Sequence, residues 1–330
     1  MDNLSITEPS IQELDSIYQL IKPHTRVTPL IKVESLSELI EGKVWIKPES
    51  LQKTGAFKFR GALYRLMTLS KEAKKQGVTA YSSGNFARGL ATAGKLLNIS
   101  VNLVMPHDAP ENKIISARQQ GATVTLCSSQ TPSREEAASL MAAKIAKEQQ
   151  QTLLHPFDDL TLIKGQASVA VELKQQLSEA EIQCQQILCP VGGGSLVAGT
   201  SMVFKNNTQI TAVEAEGYAG MQLSLAHQLQ SRAKGDALCE CDALQALEPG
   251  KENLDIALRN RVNSLVVSAP AVRQAMKLAF DELKLVLEPS GAISLAAIIE
   301  KPELFRHTTL TVIATGGNVD HGTFASALTE

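Results

Sequence analysis

The chain has 330 residues, 44% of them apolar and 20% charged, with a formal net charge of −2; at this length and balance a globular protein of two domains, or one large α/β unit, is predicted. Near-neutral charge, the lack of a basic run and an aromatic content of only 4% exclude an electrostatic footprint for nucleic acid. No apolar run approaches the ~18 residues of a membrane span, the N-terminal MDNLSITEPS has no signal-peptide pattern, and the five cysteines fall in no metal-ligand spacing, so a cytoplasmic protein with reduced thiols is expected.

Ser10 to Ile21 (SIQELDSIYQLI) predicts an amphipathic helix ended by Pro23. Thr28-Pro29-Leu30 predicts an extended stretch, because a residue before proline avoids the helical region. A short helical piece over 35–40 and a turn at Glu41-Gly42 lead into Lys43 to Lys47 (KVWIK), which alternates as a half-buried strand does. Gly61 to Met67 then carries apolar residues at helical spacing, so Lys58 falls where strand gives way to helix. Thr54 and Gly55 are predicted to make the turn between them, the threonine hydroxyl capping the helix and the glycine taking angles other residues avoid. A lysine between Phe57 and Phe59 at a helix start has two readings. It is a snorkelling surface charge, or it is an amine made easier to deprotonate, and so nucleophilic, by burial and a positive helix end.

Strands over 77–81, 100–105 and 121–126 alternate with helices over 87–97, 111–120 and 133–148, the pattern of a parallel sheet with helical crossovers. A compact βα lobe from about residue 77 to 154 is predicted. Residues 155–159 (HPFDD) read as a turn and 163–176 as a helix. An apolar strand over 184–191 ends in Gly192-Gly193-Gly194-Ser195, with a helix over 196–204 behind it. Further strands are predicted at 210–214, 264–268 and 309–314 and helices at 271–284 and 292–299, while 217–261 gives only weak helical signals. No internal repeat is present.

Three glycine loops follow strands and open helices: SSGN at 82–85, GGGS at 192–195 and TGGN at 315–318. Ligands of open α/β sheets gather at such carboxyl ends. The consecutive glycines of the second loop let several backbone N–H groups converge on an anion at a helix N-terminus. Three or four charge-assisted hydrogen bonds of about 1.5–3 kcal/mol each outweigh a helix dipole worth about 0.3–1 kcal/mol, and a phosphate suits them. The dinucleotide pattern GxGxxG fails at Val197, and the P-loop pattern fails at Thr200, where a lysine is needed. A tight helix–strand contact is the other reading of the loop. A phosphate cradle together with a nucleophilic lysine points to pyridoxal phosphate held as a Schiff base.

The ordered set TGAFKFRGA, SSGN, PVGGGSL, EPSGA and TGGN resembles the serine/threonine dehydratase branch of fold-type-II pyridoxal phosphate enzymes, and is also similar to serine racemase; the likeness runs from Thr28 to Gly317. It implies an α/β protein of two open, mostly parallel twisted sheets of the tryptophan synthase β type. Residues 1–76 and 155–330 would form the large cofactor-binding domain and 77–154 a small mobile one, with no regulatory extension. It also implies that Lys58 bonds the cofactor, Phe57 packs beside its ring and Asn85 holds its hydroxyl. Gly192, Gly193, Gly194 and Ser195 would bind the phosphate, Glu288 lie near the ring, and Thr315 meet the pyridine nitrogen. A neutral hydroxyl there cannot keep that nitrogen protonated as a carboxylate would, which favours loss of a β-leaving group over a long-lived carbanion. Ser82, Ser83 and Asn85 would take the substrate carboxylate. Ser83 matches the second acid/base of racemizing relatives, or else caps the following helix. Arg134 resembles a residue that closes on the carboxylate, or else lies on a solvated helix face.

The chain departs from the family pattern at several points. Ala56 stands where many relatives have serine. Phe86 stands where most have histidine, which is expected to put an apolar side chain against the substrate and leave room for a bulkier β-substituent. Ser195 replaces a fourth glycine. Relatives that bind a divalent cation have an acidic residue near Gly220, after a glutamate matching Glu214 or Glu216; with glycine there, no metal site is expected. The implied activity is dehydration of L-threonine or L-serine to a 2-oxo acid and ammonia, by a homodimer or homotetramer. The rival readings are a racemase or β-replacement synthase of the same fold, and a non-catalytic pyridoxal phosphate or amino-acid binding protein.

Overall fold

The structure is a computed structural model and describes residues 8–128, 134–205, 208–236 and 240–329. Ten strands, β1 (Ile31–Lys32), β2 (Lys43–Pro48), β3 (Val78–Tyr81), β4 (Val101–Pro106), β5 (Thr123–Cys127), β6 (Thr152–Leu154), β7 (Gln186–Pro190), β8 (Gln209–Ala215), β9 (Asn263–Val267) and β10 (Thr309–Ala314), form two sheets among the described residues. The larger has the order β1-β2-β10-β7-β8-β9 and the smaller β5-β4-β3-β6. Every pairing is parallel except β1 with β2. The two mostly parallel open sheets are those that the family resemblance implies.

Alternation along the central strands explains why helices cover both faces of the large sheet. Ile187 and Cys189 of β7 and Ile313 of β10 face one core, with helices Ile11–Ile21, Ser168–Glu179 and Ser195–Phe204. Leu188 of β7 and Leu310, Val312 and Ala314 of β10 face the other, with helices Ala269–Leu283 and Pro289–Glu300. A period of two with both faces apolar is the sequence mark of a buried parallel strand. The small sheet lies between a core built on helices Lys58–Met67, Asn85–Leu97 and Glu111–Gln119 and a smaller one on helix Arg134–Glu148. Among the described residues no helix is long and apolar enough to cross a membrane.

The helix opened by Lys58 thus packs under the small sheet, while the loop before it leaves β2 of the large one. Gly89 permits this: a Cβ there would stand 3.0 Å from the Phe59 nitrogen, so only glycine lets helix Asn85–Leu97 come this close to the start of the Lys58 helix.

Candidate active site

Loops leaving the carboxyl ends of β2, β3, β6, β7 and β10 converge at one place. Ala56 and Gly316 form an isolated antiparallel bridge, the Phe57 N–H donates to the Thr315 carbonyl (3.1 Å) and the Gly317 N–H to the Gly55 carbonyl (3.0 Å). These contacts stitch the start of the Lys58 helix to the TGGN loop. The turn before it has Thr54 at φ 67° and Gly55 at φ 75°. Thr54 does not cap the helix as the sequence predicts. The helix starts after Phe57 with no side-chain cap, and the Thr54 hydroxyl is buried without a partner among the described residues, because the bridge at Ala56 holds the turn away from the first helical N–H groups.

The Lys58 ammonium is half-buried, donates to the Pro156 carbonyl at 3.0 Å and stands 5.3 Å from the centre of the Phe57 ring. The HPFDD segment, read from sequence as a plain turn, therefore belongs to the site. His155 Nδ1 accepts from the Asp158 N–H at 2.8 Å. Burial, opposed by Asp158 and aided by Lys58, holds this imidazole below its usual pKa. Asp158 in turn accepts from the N–H groups of Lys251 and Glu252 (3.0 Å each), capping helix Lys251–Arg259. Asn253 of that helix donates to the carbonyls of Phe157 (3.0 Å) and Gly193 (2.7 Å).

Gly193 lies so close to Phe157 that a Cβ would fall 2.1 Å from its ring, and Gly194 has φ 98°. The loop therefore needs glycine at both positions. The N–H groups of Gly192, Gly193, Gly194 and Ser195 donate to no group among the described residues, and they sit at the start of the buried helix Ser195–Phe204. A cluster of open amides at a helix N-terminus is an anion site by charge and by geometry.

Asn85, at the start of helix Asn85–Leu97, donates to Glu288 Oε1 at 2.6 Å. Glu288 is 4% exposed. Burial first, and the Asp242 carboxylate second, push it up to about 7 against the Asn85 hydrogen bond, the Lys113 charge and the Asn318 N–H. The Thr315 hydroxyl makes a long bond to the Ser290 carbonyl, 3.3 Å. Ser82 accepts from the Gly84 N–H at 3.3 Å. The Ser83 hydroxyl bonds to no described residue, and it does not cap the helix, whose N-cap is Gly84. The N–H groups of Asn85 and Phe86 are likewise open among the described residues.

One site expectation needs correction, and one residue weighed there has another role. The Phe86 side chain, expected against the substrate, is 3% exposed and packs with Phe59, Leu63 and Leu90 in the core beneath the small sheet. Its helical phase, in step with Leu90 and Ala93, turns it inward, so it adds nothing to the volume of the cleft and only its N–H remains there. Glu214, weighed as half of a cation site, caps a helix: its carboxylate accepts from the N–H groups of Met221 (2.7 Å) and Gln222 (2.8 Å). Arg134 opens helix Arg134–Glu148, and its side chain lies outside the described residues, as does Ser133.

Residues 21–316 match the family model "Pyridoxal-phosphate dependent enzyme". The chain belongs to this family. It is 33% identical to a β-hydroxyaspartate dehydratase of Paracoccus denitrificans, over 94% of this chain and 97% of that one. It is 30% identical to a serine racemase of Dictyostelium discoideum, over 97% and 98%. Among solved structures, a threonine deaminase of T.th. superposes with a TM-score of 0.87 at 34% identity, covering 94% of this chain and 99% of that one. The protein is thus a pyridoxal phosphate enzyme acting on amino acids, of the dehydratase and racemase branch.

The residues present fit that cofactor. A dianionic phosphate would satisfy the open N–H groups of 192–195, and the ring would lie between the Lys58 amine and the Thr315 hydroxyl, beside the Asn85–Glu288 pair. Gly193→Ala is expected to weaken pyridoxal phosphate binding about tenfold or more while the protein stays folded, because the added methyl displaces Phe157 and the loop with it; fluorescence titration with the cofactor measures it. Glu288 gives a pH signature without cofactor. Its folded pKa of about 7 lies above the ~4.3 of an unfolded glutamate, so its contribution to stability is full below ~4.3 and is lost as pH rises through 7. Glu288→Gln is therefore expected to gain stability relative to the parent between about pH 4.5 and pH 7.5 (about 1 kcal/mol or more), read from urea unfolding at both pH values.

Proposed function

We propose that the protein dehydrates a β-hydroxy amino acid, L-threonine or L-serine in the first instance, to a 2-oxo acid and ammonia. The observation that carries this reading is the position of the Lys58 amine, half-buried and held by the Pro156 carbonyl, where the GGGS, SSGN and TGGN loops meet. Pyridoxal phosphate, when bound, withdraws electrons from the substrate α-carbon. The chain's own groups do the rest. The open N–H groups of Asn85 and Phe86 and the hydroxyls of Ser82 and Ser83 receive the substrate carboxylate at a helix N-terminus. Lys58 Nζ takes the α-proton as a general base. The C–O bond at the β-carbon then breaks, the oxygen leaving with a proton as water, and the released enamine takes up water to give 2-oxo acid and ammonia. A neutral hydroxyl at Thr315 favours this elimination. Two relatives bear names of this chemistry, and the name β-hydroxyaspartate dehydratase adds a dicarboxylic substrate to the panel.

The test is to supply purified protein and pyridoxal phosphate with L-threonine, L-serine or 3-hydroxyaspartate singly, and to measure 2-oxo acid and ammonia. Product from at least one is expected; none from any overturns the reading. One feature favours a second reading, racemization. Ser83 has a hydroxyl with no partner among the described residues, as a second proton donor needs. A change of substrate optical rotation that outpaces 2-oxo acid release would establish it.

A further inference from the structure

We infer that Asn318 is a positioning residue for pyridoxal phosphate, acting through Asn85 and anchored by Arg88. Arg88 Nη1 donates to Asn318 Oδ1 at 2.6 Å. Asn318 Nδ2 donates to the Thr54 carbonyl at 2.8 Å and to Asn85 Oδ1 at 2.7 Å. Asn85 Nδ2 then donates to Glu288 Oε1 at 2.6 Å.

Donor and acceptor chemistry fixes the direction of every link. A guanidinium can only donate and a backbone carbonyl can only accept, so Asn318 must turn its oxygen to Arg88 and its nitrogen to Thr54. The second hydrogen on that nitrogen obliges Asn85 to present its oxygen. Asn85 Nδ2 is thereby turned to Glu288, and its second hydrogen meets no acceptor among the described residues. An isolated asparagine has two amide orientations of similar energy, and only the one imposed here offers a hydrogen to an oxygen of the cofactor. In the other, oxygen would face oxygen. Holding the side chain ready removes an ordering cost from binding. The surroundings are shaped for the relay: a Cβ on Gly55 would fall 2.6 Å from Asn318 Oδ1, and one on Gly316 would fall 2.3 Å from Glu288 Oε1 and 3.1 Å from Asn85 Nδ2. The relay also joins the helix after β3 of the small sheet (Asn85, Arg88) to loops of the large one (Thr54, Glu288, Asn318).

The test measures the affinity of the purified protein for pyridoxal phosphate with no amino acid present. Asn318→Ala is expected to weaken it about tenfold, and in an Asn85→Ala background to add less than about a further twofold, since coupled residues are not additive. Asn318→Ala within about twofold of the parent, or a full tenfold loss repeated in the Asn85→Ala background, overturns the inference. Arg88 is exposed, so its variants keep the fold even if Asn318→Ala does not. Arg88→Met is expected to weaken binding about threefold and Arg88→Lys, which keeps a donor, to restore it; equal binding by the two overturns the anchoring role. The inference rests on the cofactor, not on the reaction proposed above. A protein that binds as expected yet forms no 2-oxo acid would overturn that reaction and leave Asn318 its role.

Discussion

Lys58→Ala is expected to lower 2-oxo acid formation by about 10⁴-fold or more, because under the function proposed above this amine would serve both as the covalent anchor of the cofactor and as the base that moves the α-proton. Its surroundings suit both tasks. The Pro156 carbonyl and the Phe57 ring face are among the groups that meet its ammonium, and neither is a carboxylate that would hold the proton with a full charge. A carbonyl orients the amine without a full charge and lets it go when the amine turns to the substrate. Borohydride treatment followed by peptide mapping separates the two tasks from a loss of fold: the parent is expected to carry the reduced cofactor on the peptide containing Lys58, and the variant to carry none. Lys58→Arg keeps the charge and is expected to be as inactive, since a guanidinium is neither a nucleophile nor a base at neutral pH. Retention of more than about a tenth of the parent's activity by either variant would show that another base carries the step.

What the sequence reveals of the fold and site follows from where each signal originates. The βα order is legible because burial on both faces of a parallel sheet writes itself locally, as in β7 and β10. The GGGS loop is legible because a requirement for glycine is local too. The stretch 217–261 is opaque because its caps are not local. Helix Gly220–His227 is started by Glu214 from a neighbouring strand end, and helix Lys251–Arg259 by Asp158, 93 residues before the Lys251 N–H it binds. The continuous helix expected over 163–176 is instead two, Leu160–Gln166 and Ser168–Glu179. They meet at Ala167, whose nitrogen would lie 2.8 Å from a Cβ on Gly199, a contact with a helix distant in the chain. β6 has three residues, too few to show a period, so the HPFDD loop after it reads as a turn. Phe86 misleads for a different reason. Its spacing with Leu90 and Ala93 is available in the sequence and marks a core stripe, but the contrast with a polar residue in relatives draws it toward the substrate. Arg88 carries no signal of its own and Asn318 only that of the TGGN motif, since a hydrogen-bond direction exists only once the fold has set donor against acceptor.

Glu172→Gln is expected to destabilise the protein by about 3–5 kcal/mol, a large share of the ~5–15 kcal/mol that holds a typical native state. Behind the Lys58 helix lies a buried set of four charges that sums to zero. Arg60 binds Glu49 through two parallel bonds of 2.7 Å and Glu172 through bonds of 3.0 and 3.1 Å. Lys47 binds Glu172 at 2.6 Å, Gln176 at 2.7 Å and the Thr28 carbonyl at 2.7 Å. Thr28 offers its N–H to Glu172 (2.9 Å) and its hydroxyl to Glu49 (2.8 Å). Arg60, Lys47 and Glu49 are each 0% exposed and Glu172 1%. Neutralising Glu172 leaves one buried positive charge without its counterpart and, since Arg60 bonds both carboxylate oxygens, turns amide hydrogens toward that cation in either orientation. The cost is thus the desolvation of an unpaired charge, not the modest net worth of an ion pair. Burial alone would push the Glu172 carboxyl up, but Arg60 and Lys47 outweigh it and hold the carboxyl below the usual range. Its contribution is therefore present above the unfolded value of ~4.3 and is lost as pH falls through the lower folded value. Urea unfolding at about pH 7 and in steps below about pH 4.5 measures both effects. The parent is expected to lose stability steeply over the acid range and Glu172→Gln to lose less, so that the two converge. The cluster also fixes where Lys58 stands, since Arg60 lies on the same first helical turn and ties that turn through Glu49 to the segment just after β2 and through Glu172 to helix Ser168–Glu179. A variant that unfolds at the parent's urea concentration would mean that water or a shifted side chain replaces the lost charge, and the placement of Lys58 would then rest on the bridge at Ala56 and the Phe57–Thr315 and Gly317–Gly55 hydrogen bonds beside it.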